Sequence, residues 1–338
     1  MYNSKIAGVG HYVPPRIVTN QELSEMLDTS DDWITERTGI KERRFSDLKV
    51  DTTSAMGTKA SRIALERAGV SADEVDFIVF ATLSPDFYFP GPGVLVQEAL
   101  EIPTIGALDV RNQCSGFVYA LSVADQYIKT GMYKNILVIG SEVHSGGLDL
   151  TPRGRGVSVI FGDGAGAILL QRAPEGHKGV LSTHLHSEGK HARELALIDP
   201  NTSHWVHAIV EEGKKHTGDE QIGYHPYMNG NFVFKQAVTR FQEVIYEALE
   251  ANALSSGDID LLIPHQANLR ISQYIQEKMN LHEDKVFNNI MKYGNTTAAS
   301  IPIALSEAWE QGKVKEGDLV CLAAFGSGFT WASSLLYW

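Results

Sequence analysis

The sequence predicts an α/β protein that is built from two similar halves. Residues 70–79 (VSADEVDFIV) and 254–263 (LSSGDIDLLI) each combine a polar turn, acidic residues and an apolar strand, and a helical pattern precedes both. A second pair, residues 129–140 and 311–326, ends a helix at a glycine and then enters a buried strand, at nearly the same offset along the chain. Two matched pairs at one offset indicate a duplicated supersecondary unit rather than a coincidence.

The strands of both halves are almost continuous apolar runs that lie between helical patterns. Such strands are typical of sheets that helices cover on both faces. We therefore expect an N-terminal half over residues 1–171, which carries a candidate cysteine, and a C-terminal half over residues 172–338, which carries a candidate histidine and asparagine. Residues 188–227 have weak periodicity and many His, Gly and charged residues, which predicts an extended loop or a small cap.

The composition is that of an ordinary globular protein, with 43% hydrophobic and 21% charged residues among 338. Lys and Arg number 29 against 41 Asp and Glu, and the net charge of −12 argues against a nucleic-acid partner. Two cysteines are too few for a disulfide framework, which indicates a reducing compartment. Because neither an apolar signal core nor a membrane-spanning run is visible, we expect a soluble, cytoplasmic protein with no membrane partner.

Cys114 lies where an apolar strand turns into a helix. The strand ends near Val110, and the apolar residues of 117–128 recur at helical spacing. A thiol at a helix N-terminus is close to the positive end of the helix dipole, which lowers its pKa and favours the reactive thiolate. The position fits a nucleophile and a buried structural cysteine equally well, whereas Cys321, inside the strand LVCLAAF, fits the structural role.

His265 and Asn295 are polar residues at the ends of predicted elements in the second half. His265 directly follows the apolar strand in LLIPHQAN, at the sheet edge where α/β proteins build their sites. A lone histidine there could also be an ordinary satisfied polar group. Asn295, in YGNTTAAS, precedes a helix and could be an N-cap, but its position corresponds roughly to that of Cys114 in the first half. We expect the two to approach each other between the halves.

Two glycine-rich turns and a histidine-rich segment have less specific patterns. The turn AFGSGFTW (324–331) could aim backbone N–H groups at a developing oxyanion. The segment FGDGAGAILL (161–170) lacks the strand–GxGxxG–helix context of a dinucleotide site, and we interpret it as close packing before a strand. Seven of the twelve histidines lie between His184 and His225 at irregular spacings, which favours a polar loop over a metal site.

Taken together, these segments resemble the β-ketoacyl-acyl-carrier-protein synthase III family of the thiolase superfamily over nearly the whole chain. The most specific motifs are DTSDDWITERTGIKERR, NQCSGFVYAL, IFGDGAGA, STHLHSEG, NGNFVFKQAV, PHQANLRI, YGNTTAASIP and AFGSGFTW. The resemblance implies a five-layered thiolase-like fold (αβαβα) from two pseudo-symmetric halves, and a homodimer. It also implies a decarboxylative condensation of an acyl-CoA primer with malonyl-acyl carrier protein through an acyl-cysteine, at the start of fatty acid biosynthesis, with no metal or cofactor.

The resemblance also implies roles for individual residues. It assigns the catalytic positions to Cys114, His265 and Asn295, and the oxyanion hole to the amides of Cys114 and Ser327. The residues implied to contact coenzyme A or the substrate are Trp33, Arg37, Phe89, Arg155, Phe234 and Asn268. Phe89 would lie at the acyl pocket and reach it from the partner subunit. The residues implied to dock the acidic carrier protein are Lys235 and Arg270.

Two departures from the family pattern and two other functions bear on this prediction. Ser327 stands where the family often has the middle of three glycines, and the segment 188–227 looks longer than in short bacterial members. Related enzymes of specialised pathways pass the acyl group to another acceptor, or join two acyl-CoA molecules without decarboxylation. The second reaction needs a base, commonly a glutamate, and no glutamate is marked for that role by its position. A non-catalytic acyl-binding module is disfavoured because all three catalytic positions are intact.

Overall fold

A computed structural model of the protein describes residues 1–198 and 225–338. The strands are β1 (Ser4–Tyr12), β2 (Ile17–Thr19), β3 (Glu42–Arg44), β4 (Phe77–Ala81), β5 (Gly106–Val110), β6 (Asn135–Glu142), β7 (Gly164–Arg172), β8 (Val180–Ser187), β9 (Leu195–Ala196), β10 (Tyr227–Met228), β11 (Leu261–Pro264), β12 (Leu319–Gly326) and β13 (Thr330–Tyr337). The helices are α1 (Asn20–Ser24), α2 (Asp31–Thr38), α3 (Thr53–Ala68), α4 (Pro92–Ala99), α5 (Gly116–Lys129), α6 (Arg155–Ser158), α7 (Gly230–Ala251), α8 (Leu269–Lys278), α9 (Ile290–Tyr293) and α10 (Ser300–Glu310).

Two large sheets repeat the same strand pattern. The first has the order β1-β7-β6-β4-β5 and the second the order β8-β13-β12-β11. In each sheet the first three strands run antiparallel to one another. The next pair, β6 with β4 and β12 with β11, is parallel. The two sheets therefore match strand for strand, except that β5 has no counterpart among the described residues, and the duplication predicted from the sequence is confirmed.

The repeated sequence segments adopt the same local structure. Residues 70–79 and 254–263 each contain a short 3₁₀ turn that leads into β4 or β11. Both turns close with a capping box, in which a serine side chain and an acidic side chain three residues later satisfy each other's backbone N–H groups. The acidic residues noted in the sequence are thus part of a turn that delivers each strand to its sheet.

Five layers stack around these sheets, because the central strands β4, β6, β11 and β12 are buried on both faces. Helices α5 and α10 lie between the sheets, where side chains such as Phe117 and Ile301 pack against both. Helices α3 and α4 cover the outer face of the first sheet. Helices α7 and α8 cover the outer face of the second sheet, and Cys321 is buried there. The predicted αβαβα arrangement and the structural role of Cys321 are confirmed.

The glycine-rich segment before β7 permits close backbone approach, as the sequence predicted. A β-carbon at Gly162 would lie 2.2 Å from the carbonyl oxygen of Tyr293, so no side chain fits there. The neighbouring Asp163 is buried and accepts backbone N–H groups from Ser46 and His144, both at 2.7 Å. The segment therefore joins three loops by close packing.

The extended segment 188–227 is described only at its two ends. Its first part contributes β9, which pairs with β10 in a two-stranded sheet, and residues 199–224 lie outside the described residues. Helix α7, from Gly230 to Ala251, is the helical pattern that the sequence predicted before the second repeated segment. Among the helices in the described parts of the chain, none is long and apolar enough to cross a membrane.

Candidate active site

A cavity of about 570 Å³ brings together the three predicted catalytic residues, Cys114, His265 and Asn295. Cys114 comes from the N-terminal half and the other two come from the C-terminal half. Each side chain stands at the end of an element: a turn before α5, the loop after β11, and the loop before α10. The duplication explains why these three side chains lie together, because it places equivalent strand and helix ends of the two halves face to face.

Cys114 is held in a tight 3₁₀ turn, from Gln113 to Ser115, that runs into α5. Its side chain is buried, with 6% exposure, and the preceding Gln113 has a left-handed backbone with φ of +44°. A β-carbon at Gly326 would lie 2.5 Å from the Cys114 β-carbon and 2.9 Å from its sulfur. Position 326 must therefore be glycine, since any side chain there would occupy the space of the sulfur.

The acidity of the Cys114 thiol differs from the sequence-based expectation. Burial raises the pKa of Cys114 to about 12, and the nearby carboxylate of Glu142 contributes to the rise. The backbone N–H groups of Ser327 and of Cys114 itself act in the opposite direction because they approach the sulfur. The prediction that the helix N-terminus lowers the pKa of Cys114 was wrong for the site without substrate, because the effect of burial is larger.

Ser327 lies in the turn between β12 and β13, and its side chain points away from the sulfur. The hydroxyl donates to the carbonyl oxygen of Leu195. Thr330 fixes the turn further, since its hydroxyl donates to the Ser327 carbonyl at 3.1 Å and lies 2.7 Å from the hydroxyl of Ser115. The departure from three glycines therefore leaves the Ser327 amide free to face the sulfur, as an oxyanion hole requires.

His265 is a neutral imidazole whose second nitrogen is unpartnered. Burial lowers the pKa of His265 to about 3. Its Nδ1 lies 2.6 Å from the hydroxyl of Ser300, and that hydroxyl accepts the N–H of Gln266 at 3.3 Å. The Ser300 hydroxyl can then donate to Nδ1, which leaves the ring proton on Nε2. This Nε2 is buried without a hydrogen-bond partner among the described residues, so it is a donor available to a bound substrate.

Asn295 is fixed by three backbone hydrogen bonds. Its N–H donates to Ile160 at 2.9 Å, and its carbonyl accepts the N–H of Gly162 at 3.1 Å. The side-chain oxygen accepts the N–H of Thr297 at 2.8 Å. The interpretation of Asn295 as an N-cap was wrong, because the helix α10 has Ala299 at its N-cap and the preceding 3₁₀ turn has Thr296. The contact with Thr297 leaves the NH₂ group of Asn295 as a donor for the cavity.

An aromatic and cationic group forms part of the cavity wall and its surroundings. The indole of Trp33 lies between two guanidinium groups, that of Arg37 at 4.5 Å and that of Arg155 at 4.6 Å from the ring centre. Trp33 and Arg37 are four residues apart in α2 and so share one face of the helix. Trp33 and Arg37 line the cavity, and Arg155 flanks it beside the lining residue Gly156. Stacked aromatic and guanidinium planes suit a nucleotide with its phosphates.

The other residues predicted to bind substrate or carrier protein line the same cavity, with one exception. These residues are Phe234, Lys235, Asn268 and Arg270. Asn268 caps α8 through the N–H of Arg270 at 2.9 Å and donates to the carbonyl of Arg37 at 2.9 Å. The guanidinium of Arg270 lies 5.8 Å above the ring of Phe234. This contact places positive charge at the cavity wall.

Phe89 is the exception, because it does not line the cavity of its own chain. Its side chain is 75% exposed, in the loop between β4 and α4, next to the exposed rings of Phe87 and Tyr88. The prediction that Phe89 reaches the pocket of a partner subunit stays a prediction.

Several residues beside the site were missed by the sequence analysis. Glu142 ends the buried strand β6, and burial raises its pKa to about 7. It accepts hydrogen bonds from the hydroxyl of Ser84 at 2.7 Å and the N–H of Leu83 at 3.2 Å, and it does not line the cavity. A carboxylate at the end of an apolar strand was a visible signal. Thr297 and Ser300 had no such signal in the sequence, because their hydrogen-bond partners are distant in the chain or are brought together only by the fold.

The histidine-rich segment does not form a metal site within residues 1–198 and 225–338. No group of three or more His, Cys, Asp or Glu side chains in these residues is arranged to hold a metal ion. His184 and His186 instead share the carboxylate of Glu247, at 3.3 and 2.6 Å. His204, His207 and His216 lie outside the described residues.

Comparison with known proteins identifies what this chain is similar to. The model of the 3-oxoacyl-[acyl-carrier-protein (ACP)] synthase III family matches residues 108–189, and the model of its C-terminal part matches residues 249–338. The chain is 46% identical to a β-ketoacyl-[acyl-carrier-protein] synthase III of Rhodospirillum centenum, over 99% of both chains. It is 43% identical to the protein of that name in Pseudoalteromonas atlantica, again over 99% of both chains. Among solved structures, the 3-oxoacyl-[acyl-carrier-protein] synthase III of Aquifex aeolicus superposes with a TM-score of 0.89, at 42% identity over 99% of this chain and 100% of that one.

Proposed function

This chain belongs to the 3-oxoacyl-[acyl-carrier-protein] synthase III family and is an acyl-transferring condensing enzyme, and on this premise we propose how its own residues carry the reaction. It joins an acyl-CoA primer to malonyl-acyl carrier protein through an acyl-Cys114 intermediate, in the priming step of fatty acid synthesis. The products are a 3-oxoacyl-acyl carrier protein, free CoA and carbon dioxide. The observation that carries the proposal is the shared cavity of Cys114, His265 and Asn295.

In the first step, the sulfur of Cys114 attacks the thioester carbonyl of the primer. The carbonyl oxygen becomes an oxyanion, which the N–H groups of Cys114 and Ser327 stabilise from positions beside the sulfur. The bond between the carbonyl carbon and the CoA sulfur then breaks, and CoA leaves with the proton that Cys114 gives up. The acyl group remains on Cys114 as a new thioester, so that one difficult reaction becomes two easier ones.

In the second step, the malonyl group loses carbon dioxide and becomes an enolate. The electrons of the broken carbon–carbon bond collect on the thioester oxygen, where the Nε2–H of His265 and the NH₂ group of Asn295 donate hydrogen bonds. Neutral donors that are already oriented lower the barrier, because they need not reorganise as the charge appears. The enolate carbon attacks the acyl carbonyl, and the Cys114 sulfur leaves and takes up a proton. This chemistry calls on no resident metal or cofactor, and acyl-CoA is a substrate.

The two substrates use different parts of the cavity wall. The stacked group of Trp33, Arg37 and Arg155 fits the nucleotide end of CoA, and Phe234 and Asn268 line the same cavity. Lys235 and Arg270 provide positive charge for the acidic carrier protein. Neither forms an ion pair with another residue of the described parts of the chain, so both charges are available to a partner.

The proposed reaction is tested with purified protein, a set of acyl-CoA primers of increasing chain length, and malonyl-acyl carrier protein. We expect one equivalent each of CoA, carbon dioxide and 3-oxoacyl-acyl carrier protein for each turnover with at least one primer. Arg270→Glu should raise KM for the carrier protein and leave acylation of Cys114 by acyl-CoA unchanged. A product without release of carbon dioxide would favour the non-decarboxylative alternative, and a stable complex without any acyl-enzyme would favour the binding module.

We also propose that the enzyme is a homodimer in the cytoplasm. Strand β5 is the edge of the first sheet, and Leu108 in β5, Val94 and the Phe87–Phe89 loop expose apolar side chains near it. Exposed strand edges and apolar patches of this kind are usually covered by a partner. A second copy would cover them by twofold symmetry and would bring Phe89 to the partner's cavity. Both cysteines are free thiols, which fits a reducing compartment.

The dimer is tested by sedimentation of the native chain. We expect a species of twice the 37.1 kDa of one chain, and Leu108→Asp should shift it towards the monomer. Met132→Asp is the matched control, because Met132 is an exposed apolar residue of the loop after α5 and not part of the patch. A native chain that sediments as a monomer at micromolar concentration would contradict the homodimer.

A further inference from the structure

We propose that Thr297 is a positioning residue for the condensation step, held by His144 and Glu142 so that its backbone N–H fixes the orientation of the Asn295 amide. The inference rests on the proposed function, because it concerns how Asn295 meets the enolate. It starts from a polar group of three side chains, His144, Thr297 and Glu142, here called the Thr297 cluster. These side chains do not line the cavity, and the steps above do not use them.

The orientation of the Asn295 amide depends on a single backbone donor. An amide side chain has an acceptor at one end and two donors at the other. The N–H of Thr297 lies 2.8 Å from the Asn295 oxygen and so holds the acceptor end. If the amide turned over, its NH₂ group would face the N–H of Thr297, and its oxygen would face the negative charge of the enolate. The contact from Thr297 therefore decides whether Asn295 stabilises the enolate or repels it.

Thr297 holds this N–H in an unfavourable backbone conformation. Its φ is +44°, in the left-handed region, which β-branched residues rarely adopt. Such a conformation persists only where the surrounding contacts over-determine it. The side chain of Thr297 is buried, so its anchors are within the protein.

The hydroxyl of Thr297 has one partner on each side. It hydrogen-bonds the carboxylate of Glu142, and it lies 3.2 Å from the Nε2 of His144. The carboxylate already accepts from Ser84 and Leu83, so the hydroxyl donates to it as well and accepts from His144. Burial lowers the pKa of His144 to about 4, and the neutral ring therefore carries its one proton on Nε2. When Glu142 is the ionised carboxylate, every hydrogen bond in the cluster therefore has one direction.

The two anchors are themselves held by the segments that enclose Asn295. The His144 backbone N–H donates to the buried Asp163 at 2.7 Å, and its ring packs 4.6 Å from that of Phe161. Phe161 forms a β-bridge with Asn295. The Thr297 cluster therefore ties the loop after β6 to the loop before α10, and its direct hydrogen bond to a catalytic side chain is the one from Thr297 to Asn295.

The experiment compares Thr297→Val, which keeps the side-chain shape and removes the hydroxyl, with Thr297→Ser, which keeps the hydroxyl. Two rates are measured for each: acylation of Cys114 by acyl-CoA, and consumption of the preloaded acyl-enzyme by malonyl-acyl carrier protein. We expect Thr297→Val to acylate within about threefold of the native rate and to condense about 10- to 100-fold more slowly, the effect of losing a hydrogen bond to a charged group. Thr297→Ser should restore condensation to near the native rate.

A merely structural role would lower both rates together, or would leave Thr297→Ser as impaired as Thr297→Val, and either result overturns the inference. If Thr297→Val does not fold, His144→Phe carries the test, since it keeps a ring against Phe161 and removes the Nε2 donor. It should slow condensation selectively, and equal slowing of both steps, or no slowing, again overturns the inference. If the native chain is acylated but does not condense, both the proposed function and the inference fail. If the native chain condenses and neither variant is selectively slow in condensation, only the inference fails.

Discussion

Replacing Cys114 by alanine is expected to abolish the acyl-enzyme and, with it, condensation. The variant removes the sulfur that is proposed to carry the acyl group and leaves the turn, the Ser327 amide and the substrate contacts in place. We expect no covalent mass increase after treatment with acyl-CoA, and condensation should fall below detection. Intact-protein mass spectrometry with a time course of CoA release measures both effects.

Cys321→Ala is the matched control for this variant. Cys321 is also buried and also has a pKa raised to about 12, but it lies in β12, away from the cavity lining. Its loss should leave the label and the rate near native, with a stability cost on the order of 1 kcal/mol for the small cavity created. Label on a Cys321 peptide, or an acyl-enzyme that survives in Cys114→Ala, would contradict the assignment.

Replacing Asn295 by alanine is expected to separate the two steps. The side chain donates to the enolate of the second step and has no part in the attack by Cys114, so acylation should stay within a few-fold of native. Condensation should fall on the order of 100- to 1000-fold, the usual effect of removing one donor from an oxyanion site. Preloaded acyl-enzyme mixed with malonyl-acyl carrier protein, with release of carbon dioxide followed in a single turnover, gives the second rate alone.

Asn295→Asp sharpens this test because it keeps the shape of the side chain. One carboxylate oxygen can still accept the N–H of Thr297, and the other would place an acceptor and a negative charge where the enolate forms. We expect condensation by Asn295→Asp to be no faster than by Asn295→Ala. A variant of either kind that condenses at the native rate, or that loses acylation as well, would show that Asn295 has a different role.

The parts of the site that follow from local sequence were predictable. Cys114 and His265 each stand at the end of an apolar strand or the start of a periodic helix, and these boundaries are visible in the chain. The duplication then gave the reason why residues of the two halves should meet. The family motifs converted these positions into roles, and the structure brings all three catalytic side chains to one cavity.

The properties that depend on long-range packing were not predictable. The helix position of Cys114 suggested a low pKa, but the surrounding protein removes solvent from the sulfur and raises it. The requirement for glycine at 326 comes from a cysteine more than two hundred residues earlier in the chain. The partners of Thr297 likewise come from β6 and the loop that follows it. Sequence periodicity reports which face of an element is buried and not which distant side chain it touches.

Phe89 shows that sequence periodicity also does not report contacts between two copies of a chain. The family pattern places it at an acyl pocket, and the isolated chain leaves its ring in solvent. A residue whose function depends on a second copy has no signal in the periodicity of its own segment, and only its exposure on an apolar patch indicates a partner.

The central claim is that the sulfur of Cys114 receives the acyl group within reach of both pairs of donors. A crystal structure of the protein after reaction with an acyl-CoA that labels it tests this most directly. The account predicts continuous density from Cys114 into the acyl chain, with the carbonyl oxygen within hydrogen-bond distance of the Cys114 and Ser327 amides, and with His265 and Asn295 facing the same space. An acyl group on any other residue, or a carbonyl oxygen turned away from both amides, would contradict it.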